Sequence, residues 1–356
     1  MRLRIASALW SVGALALGLV WLTNEGTYPF GAADRVTMSF THLVEAAAAG
    51  WLMIGAGVTG VLTTLLWKRT VPVGGALLTA YFGLFWSDAS VLSAFGYSLA
   101  VAAPLAILAL VVVACVRWNR IGYAAAAAIV VLLALGIATG LVSSTNVLGF
   151  WRNVGRGMGT YGVRMGWALA MAASAVWWGF VAVRTGRVRE WLASARPARG
   201  WVVAITVAAA LCPLPYAVVR FSWLTPWAIG LDERFDSFAT RLQGASLGVA
   251  GLVGAILTLG LVSRWGETFP QWLPFVGGRA VPVWLAVVPG LVVATVVCVS
   301  APSMVAHWFA TMPVVDAFVA TLFVPAPVWG PLLGSAVVAY WLRRRDPDAE
   351  RRHSGA

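Results

Sequence analysis

HLVEAAAAGWLMIGAGVTGVLTTLLWKR, residues 42–69, decides the fold. Between His42 and Trp67 only Glu45 carries a formal charge, and the run stops at Trp67, Lys68 and Arg69. A helix rises about 1.5 Å per residue, so about 20 apolar residues cross the hydrocarbon layer of a bilayer. The closing aromatic and basic residues suit the headgroup level, where an amphipathic ring and a cation are both solvated. The same pattern recurs along the chain at 5–23, 71–87, 97–118, 121–142, 165–184, 200–219, 242–263, 281–301 and 325–342. With 42–67 these make about ten spans, and the gaps leave no room for a separate globular domain. The fold expected is all-α, a polytopic transmembrane helical bundle.

Composition agrees. Only 11% of the 356 residues are charged, against about 25% in soluble domains. Hydrocarbon imposes that deficit, because an unpaired charge is costly there. The net charge of +12 could signal nucleic acid. Its distribution points instead to membrane lipids. If the N-terminus is cytoplasmic, eighteen of the 25 basic residues fall in cytoplasmic segments, among them Arg2, Arg4, Lys68, Arg69, the run from Arg184 to Arg199 and the tail from Arg343. Seven remain outside: Arg35, Arg152, Arg156, Arg164, Arg220, Arg234 and Arg241. The positive-inside rule then places both termini in the cytoplasm. Arg2 and Arg4 before a long apolar run resemble a signal peptide, but the run is too long for one, so it is expected to persist as a span.

Residues 34–67 and 232–265 align without a gap. Asp34 matches Asp232, Ser39-Phe40 matches Ser237-Phe238, Gly50 matches Gly248 and Trp67 matches Trp265. Arg69-Thr70-Val71-Pro72-Val73 recurs as Arg279-Ala280-Val281-Pro282-Val283. These matches predict two parallel four-helix units, 1–120 and 200–345. A transmembrane hairpin with a basic cytoplasmic loop, 121–199, joins them, and 346–356 forms a cytoplasmic tail.

Candidate chemistry is sparse. Cys115, Cys212 and Cys298 lie inside apolar spans and read as small core residues, with no metal-ligand spacing. No cofactor motif survives scrutiny. Gly157-Met158-Gly159-Thr160-Tyr161-Gly162 fits G-x-G-x-x-G but lacks the preceding strand of a dinucleotide fold. A loop of that composition among Arg152, Arg156 and Arg164 would suit an anion or lipid headgroups. No Ser–His–Asp set and no paired carboxylates stand in convincing positions, so no catalytic residue is assigned and the reading leans away from an enzyme.

The candidate ligand-binding residues are His42 and Glu45, expected on one helical face within the second span, and Gln243, the counterpart of Glu45 in the repeat, with Arg241 next to it. Asp34 and Asp232 belong to the outer loops above them. A carboxylate inside a span demands a partner or water, which makes Glu45 the leading candidate. The apolar, proline-rich segment 302–327 is expected to be re-entrant or interfacial.

Leu214-Pro215-Tyr216-Ala217, Trp223-Leu224-Thr225-Pro226-Trp227, Arg264-Trp265-Gly266-Glu267-Thr268-Phe269-Pro270 and the stretch from Pro274 to Pro282 resemble uncharacterised multi-spanning membrane proteins of high-GC actinobacteria. The resemblance covers the second half. It implies a bacterial plasma membrane and lends no activity or catalytic residue. The functional reading is therefore non-enzymatic transport or binding of a small solute or lipid at a polar site in the outer half. The alternatives are a scaffold or accessory subunit that binds other membrane proteins, and an enzyme acting on a lipid-linked substrate. Nucleic acid is not an expected partner.

Overall fold

The computed structural model describes residues 2–31, 38–116, 120–138, 140, 143–185, 190, 194–195, 197–271, 273 and 276–345. Among them there is no strand; two isolated bridges pair Ser39 with Asp88 and Thr268 with Ala280. The helices are α1 (Arg2–Thr23), α2 (Ala46–Leu65), α3 (Trp67–Ala80), α4 (Ser90–Val116), α5 (Arg120–Ala138), α6 (Ser144–Thr185), α7 (Arg199–Leu211), α8 (Leu214–Ser222), α9 (Phe238–Gly260), α10 (Val283–Thr311), α11 (Val314–Phe323) and α12 (Ala326–Arg345). Seven stretches among the described residues are long and apolar enough to cross a membrane: Arg2–Thr23, Ala46–Leu65, Gly162–Arg184, Arg199–Ser222, Phe238–Gly260, Val283–Thr311 and Val314–Arg345. Thr70–Phe85 and Gly122–Ala138 are shorter apolar helices. This is the helix content an integral membrane protein requires.

The chain forms two compact units, each discontinuous in sequence. The first comprises Met1–Leu92, Val163–Pro197 and Thr295–Ala320; the second comprises Ser93–Gly162, Ala198–Ala294 and Thr321–Ala356.

In the first unit α1 and α2 form an antiparallel pair joined through small residues. A Cβ at Gly18 would lie 2.6 Å from the Gly50 carbonyl oxygen, and one at Gly57 would lie 2.8 Å from the Ser11 carbonyl oxygen. Helices without side chains at the contact approach until their backbones touch, and close packing drives association where lipid competes for apolar surface. The α2 end is tied down by Arg4, whose Nε donates to the Thr64 carbonyl at 2.7 Å and whose Nη2 donates to that of Leu65 at 3.1 Å. A cation there also meets the negative end of the helix dipole. Between α1 and the later half of α6 run two reciprocal bonds: the Trp10 indole donates to Ser174 Oγ at 3.2 Å, and the Trp177 indole donates to Ser7 Oγ at 3.1 Å.

The second unit repeats some of these devices. On α9, a Cβ at Gly248 would meet Arg220 and the Ala217 carbonyl of α8. Arg343 Nη2 donates to the Leu261 carbonyl, just past the end of α9, at 2.6 Å, and Arg344 Nη2 donates to that of Val281 at 2.8 Å. Tyr340, Val337 and Ala336 of α12 are fully buried with Ala209 of α7. At Cys212–Pro213 α7 gives way to α8, where Pro213 cannot continue the hydrogen-bond ladder.

Residues 302–311 continue α10 as helix, and α11 follows a break at Met312–Pro313, so the proline-rich segment is mostly helical. One local expectation changes. The G-x-G-x-x-G segment is also helical, inside α6. Its backbone N–H groups belong to the helix ladder, which removes the anion-binding loop imagined there.

Candidate functional site

The first unit carries its buried ion pair at the end of α3. This helix widens into a π turn at Tyr81–Phe85 and then stops; Trp86 to Ala89 are non-helical before α4 begins at Ser90. Irregular backbone in a membrane protein survives only where protein or a water-filled cavity satisfies it. Here the segment 38–44 does so. The Ala89 N–H donates to the Met38 carbonyl at 2.9 Å, and the Phe40 N–H donates to that of Ser87 at 3.3 Å.

Asp88 sits in this break. Its side chain is fully buried, and Arg164 of α6 is 5% exposed. Arg164 Nη1 donates to Asp88 Oδ2 at 2.8 Å. Asp88 Oδ1 accepts from the Ser90 N–H at 2.8 Å, so the carboxylate also serves the start of α4. Burial pushes the Asp88 carboxyl above its ordinary value, opposed by hydrogen bonds with Ser90 and Ser39. The guanidinium lies 5.0 Å from the centre of the Phe30 ring.

Phe30, which faces the guanidinium, belongs to an aromatic cluster beside the pair. Trp167 has Trp21, Phe30 and Trp86 at centroid distances of 5.3, 5.7 and 5.4 Å. Tyr28 packs on Trp21 and Phe30, and its hydroxyl donates to the Thr41 carbonyl at 3.2 Å. Burial raises the Tyr28 phenol to about 12, with Arg164 pulling against the rise. The Trp167 indole N–H is buried without a hydrogen-bond partner. Neither the Trp86 indole N–H nor the Tyr81 hydroxyl has a partner in hydrogen-bond geometry, although the rings lie edge to face 6.4 Å apart.

Beside Asp88, Ser87 joins the break to α10. Its hydroxyl donates to the Val299 carbonyl and accepts from the Ser303 N–H at 3.0 Å. In an unbroken ladder those two groups would bond each other. Pro302 lies between them; its missing N–H leaves the Cys298 carbonyl without a ladder donor, and Ser87 binds the groups next to that gap.

The residues singled out from sequence lie elsewhere. Ser39 caps a short 3₁₀ turn at Phe40–Leu43, and Val44 is extended, so α2 begins only after Glu45. His42 and Glu45 therefore do not share a helical face. His42 Nδ1 contacts the Ser39 carbonyl. Glu45 stands exposed at the N-cap of α2 and makes no side-chain capping bond. Asp34 lies outside the described residues. In the second unit Asp232 pairs with Arg234 at 2.6 Å on the surface. Arg241 binds Asp236 at 2.6 Å and donates to the carbonyls of Trp223 and Thr225, both at 3.0 Å. Those bonds pull the carboxyls of Asp232 and Asp236 below their ordinary range. Gln243 is half-buried on α9.

Sequence reasoning named Arg164 only as an outer-loop arginine and passed over Asp88. One signal was available: Trp86-Ser87-Asp88-Ala89-Ser90 places a lone acid between two apolar runs. Among the described residues no cluster of His, Cys, Asp and Glu could hold a metal ion. No family model, curated protein or solved structure matches the chain.

Proposed function

We propose that this chain is a non-enzymatic membrane protein that binds or transports a small solute or lipid headgroup, and that its site is the Asp88–Arg164 centre in the outer half of the bilayer. The observation that carries the proposal is the fully buried ion pair set in a break between helices. Two charges removed from water cost several kcal/mol each, and apolar side chains of equal volume would pack as well or better. Ionisable groups at such depth in membrane proteins mark ligand and ion pathways, and broken helices are where transporters place them. In this reading His42 and Glu45 form the rim above the pair, while Asp232, Arg241 and Gln243 form the corresponding outer segment of the second unit.

The proposal includes ten crossings in a bacterial plasma membrane with both termini cytoplasmic. Adding α3, α4 and α5 to the seven long apolar stretches gives that number. It also includes the internal duplication. Support comes from equivalent details within each unit: Ser39 and Ser237 both cap the following turn with their side chains. A Cβ at Gly50 would meet Leu22 and one at Gly248 would meet Arg220, residues related by the same offset as the glycines.

A binding or transport site must open, whereas a scaffold core stays shut. The test is Ser90→Cys in a background lacking the three native cysteines, reacted in intact cells with a membrane-impermeant methanethiosulfonate. Ser90 is 8% exposed, so a static core protects it. Measurable labelling of the native protein supports the site. Labelling only after denaturation refutes it and favours the scaffold reading.

A further inference from the structure

Resting on the reading of Asp88–Arg164 as a ligand site, we infer that its ligand is an organic anion with an apolar body, which displaces the Asp88 carboxylate from Arg164. The argument begins from an asymmetry in the pair. A cationic ligand would have to take Asp88 away from Arg164. A guanidinium cannot lose its charge, so Arg164 would be left as a buried cation without its counter-ion. An anionic ligand makes the opposite exchange. Arg164 keeps a negative partner throughout, and the carboxyl it releases has other support. Asp88 already accepts from the Ser90 N–H and lies against the Ser39 hydroxyl. A carboxyl can also take up a proton where burial disfavours its charge, as it does here.

The surrounding polar groups point the same way. The buried indole N–H of Trp167 can only donate, and the Trp86 N–H and Tyr81 hydroxyl next to it add donor capacity that no acceptor uses in full. Buried donors want acceptors, and a carboxylate or phosphate brings several. The aromatic cluster beside the pair comprises Trp21, Phe30, Trp86 and Trp167. It offers apolar area for the body of the ligand, while the face of Phe30 keeps the guanidinium in place.

The experiment uses three probes of one shape and different charge: cyclohexanecarboxylate, cyclohexanemethylamine and cyclohexanemethanol. None absorbs where tryptophan does. Each is titrated into the full-length protein in lipid nanodiscs, and tryptophan emission and the thermal midpoint are read. The carboxylate should shift both saturably, and the amine and alcohol should not. Asp88→Asn should tighten carboxylate binding by about tenfold, because the internal competitor is weakened, and Arg164→Gln should abolish it. Saturable binding of the amine or alcohol in place of the carboxylate overturns the anion and leaves the solute site standing, as does equal binding of all three. An unchanged carboxylate affinity in a folded Asp88→Asn protein overturns displacement. No binding of any probe up to its solubility limit overturns the site as well. The three-probe comparison needs only the native protein, so it decides the matter even if a variant fails to fold.

Discussion

Replacing Asp88 by asparagine should destabilise the protein by about 3–5 kcal/mol, because Arg164 is then a buried charge with no counter-charge. Asn keeps the shape and the oxygen that accepts from Ser90, so the loss isolates the charge. Arg164→Met should cost less, about 1–2 kcal/mol. The carboxyl it leaves behind can take a proton, since burial already raises it, and it keeps its bonds to Ser90 and Ser39. The double variant should return to within about 1 kcal/mol of the native protein, because no buried charge remains. The coupling between the two positions then reaches several kcal/mol. Reversible unfolding in mixed micelles with increasing dodecyl sulfate, followed by tryptophan fluorescence, measures all four corners of the cycle. Additivity to within about 0.5 kcal/mol would show that the pair does not interact as its 2.8 Å contact requires.

Glycine spacing and phenol burial supply two further outcomes. Gly18→Ala should cost about 1–3 kcal/mol, since the added carbon would meet backbone atoms of Gly50 and Ile54 at 2.6 and 2.9 Å; Gly55→Ala, with nothing within 4 Å, should be neutral or stabilising in the same unfolding assay. Tyr28 should titrate near pH 12 and not near 10 when followed by ultraviolet absorbance. Its folded-state value is raised, so folding favours the neutral phenol. That contribution is complete below about pH 10 and disappears as pH climbs through about 12. A normal titration for Tyr28, identified by its loss in Tyr28→Phe, would contradict its burial.

Much of the helix layout was legible in the sequence, because hydrocarbon enforces long apolar runs and leaves charges at their ends. The expected spans 5–23, 242–263 and 325–342 fall within a few residues of α1, α9 and α12. The start of α2 was misjudged because apolar composition does not reveal a 3₁₀ turn capped by Ser39. The length of α6 was hidden because its glycines and arginines read as loop, although a continuous helix carries them. The site was hidden for a different reason. Asp88 and Arg164 are 76 residues apart, and each stands at the end of an apolar run, where a charge ordinarily meets headgroups. Only the packing of α6 against the break after α3 makes them partners. Glu45 drew attention because it seemed to lie inside the span expected from residue 42; α2 starts four residues later, at Ala46, which puts Glu45 at the exposed cap.

In the proposed orientation the Asp88–Arg164 centre lies at the outer face, at the same end of the first unit as the turn between α1 and α2. Side-specific labelling of single cysteines at Glu25, in that turn, and at Leu66, between α2 and α3, tests this most directly. Both positions are exposed. In intact cells an impermeant thiol reagent should modify Glu25→Cys and leave Leu66→Cys untouched until the membrane is permeabilised. The reverse pattern would put the site on the cytoplasmic side and contradict the proposed outer binding centre.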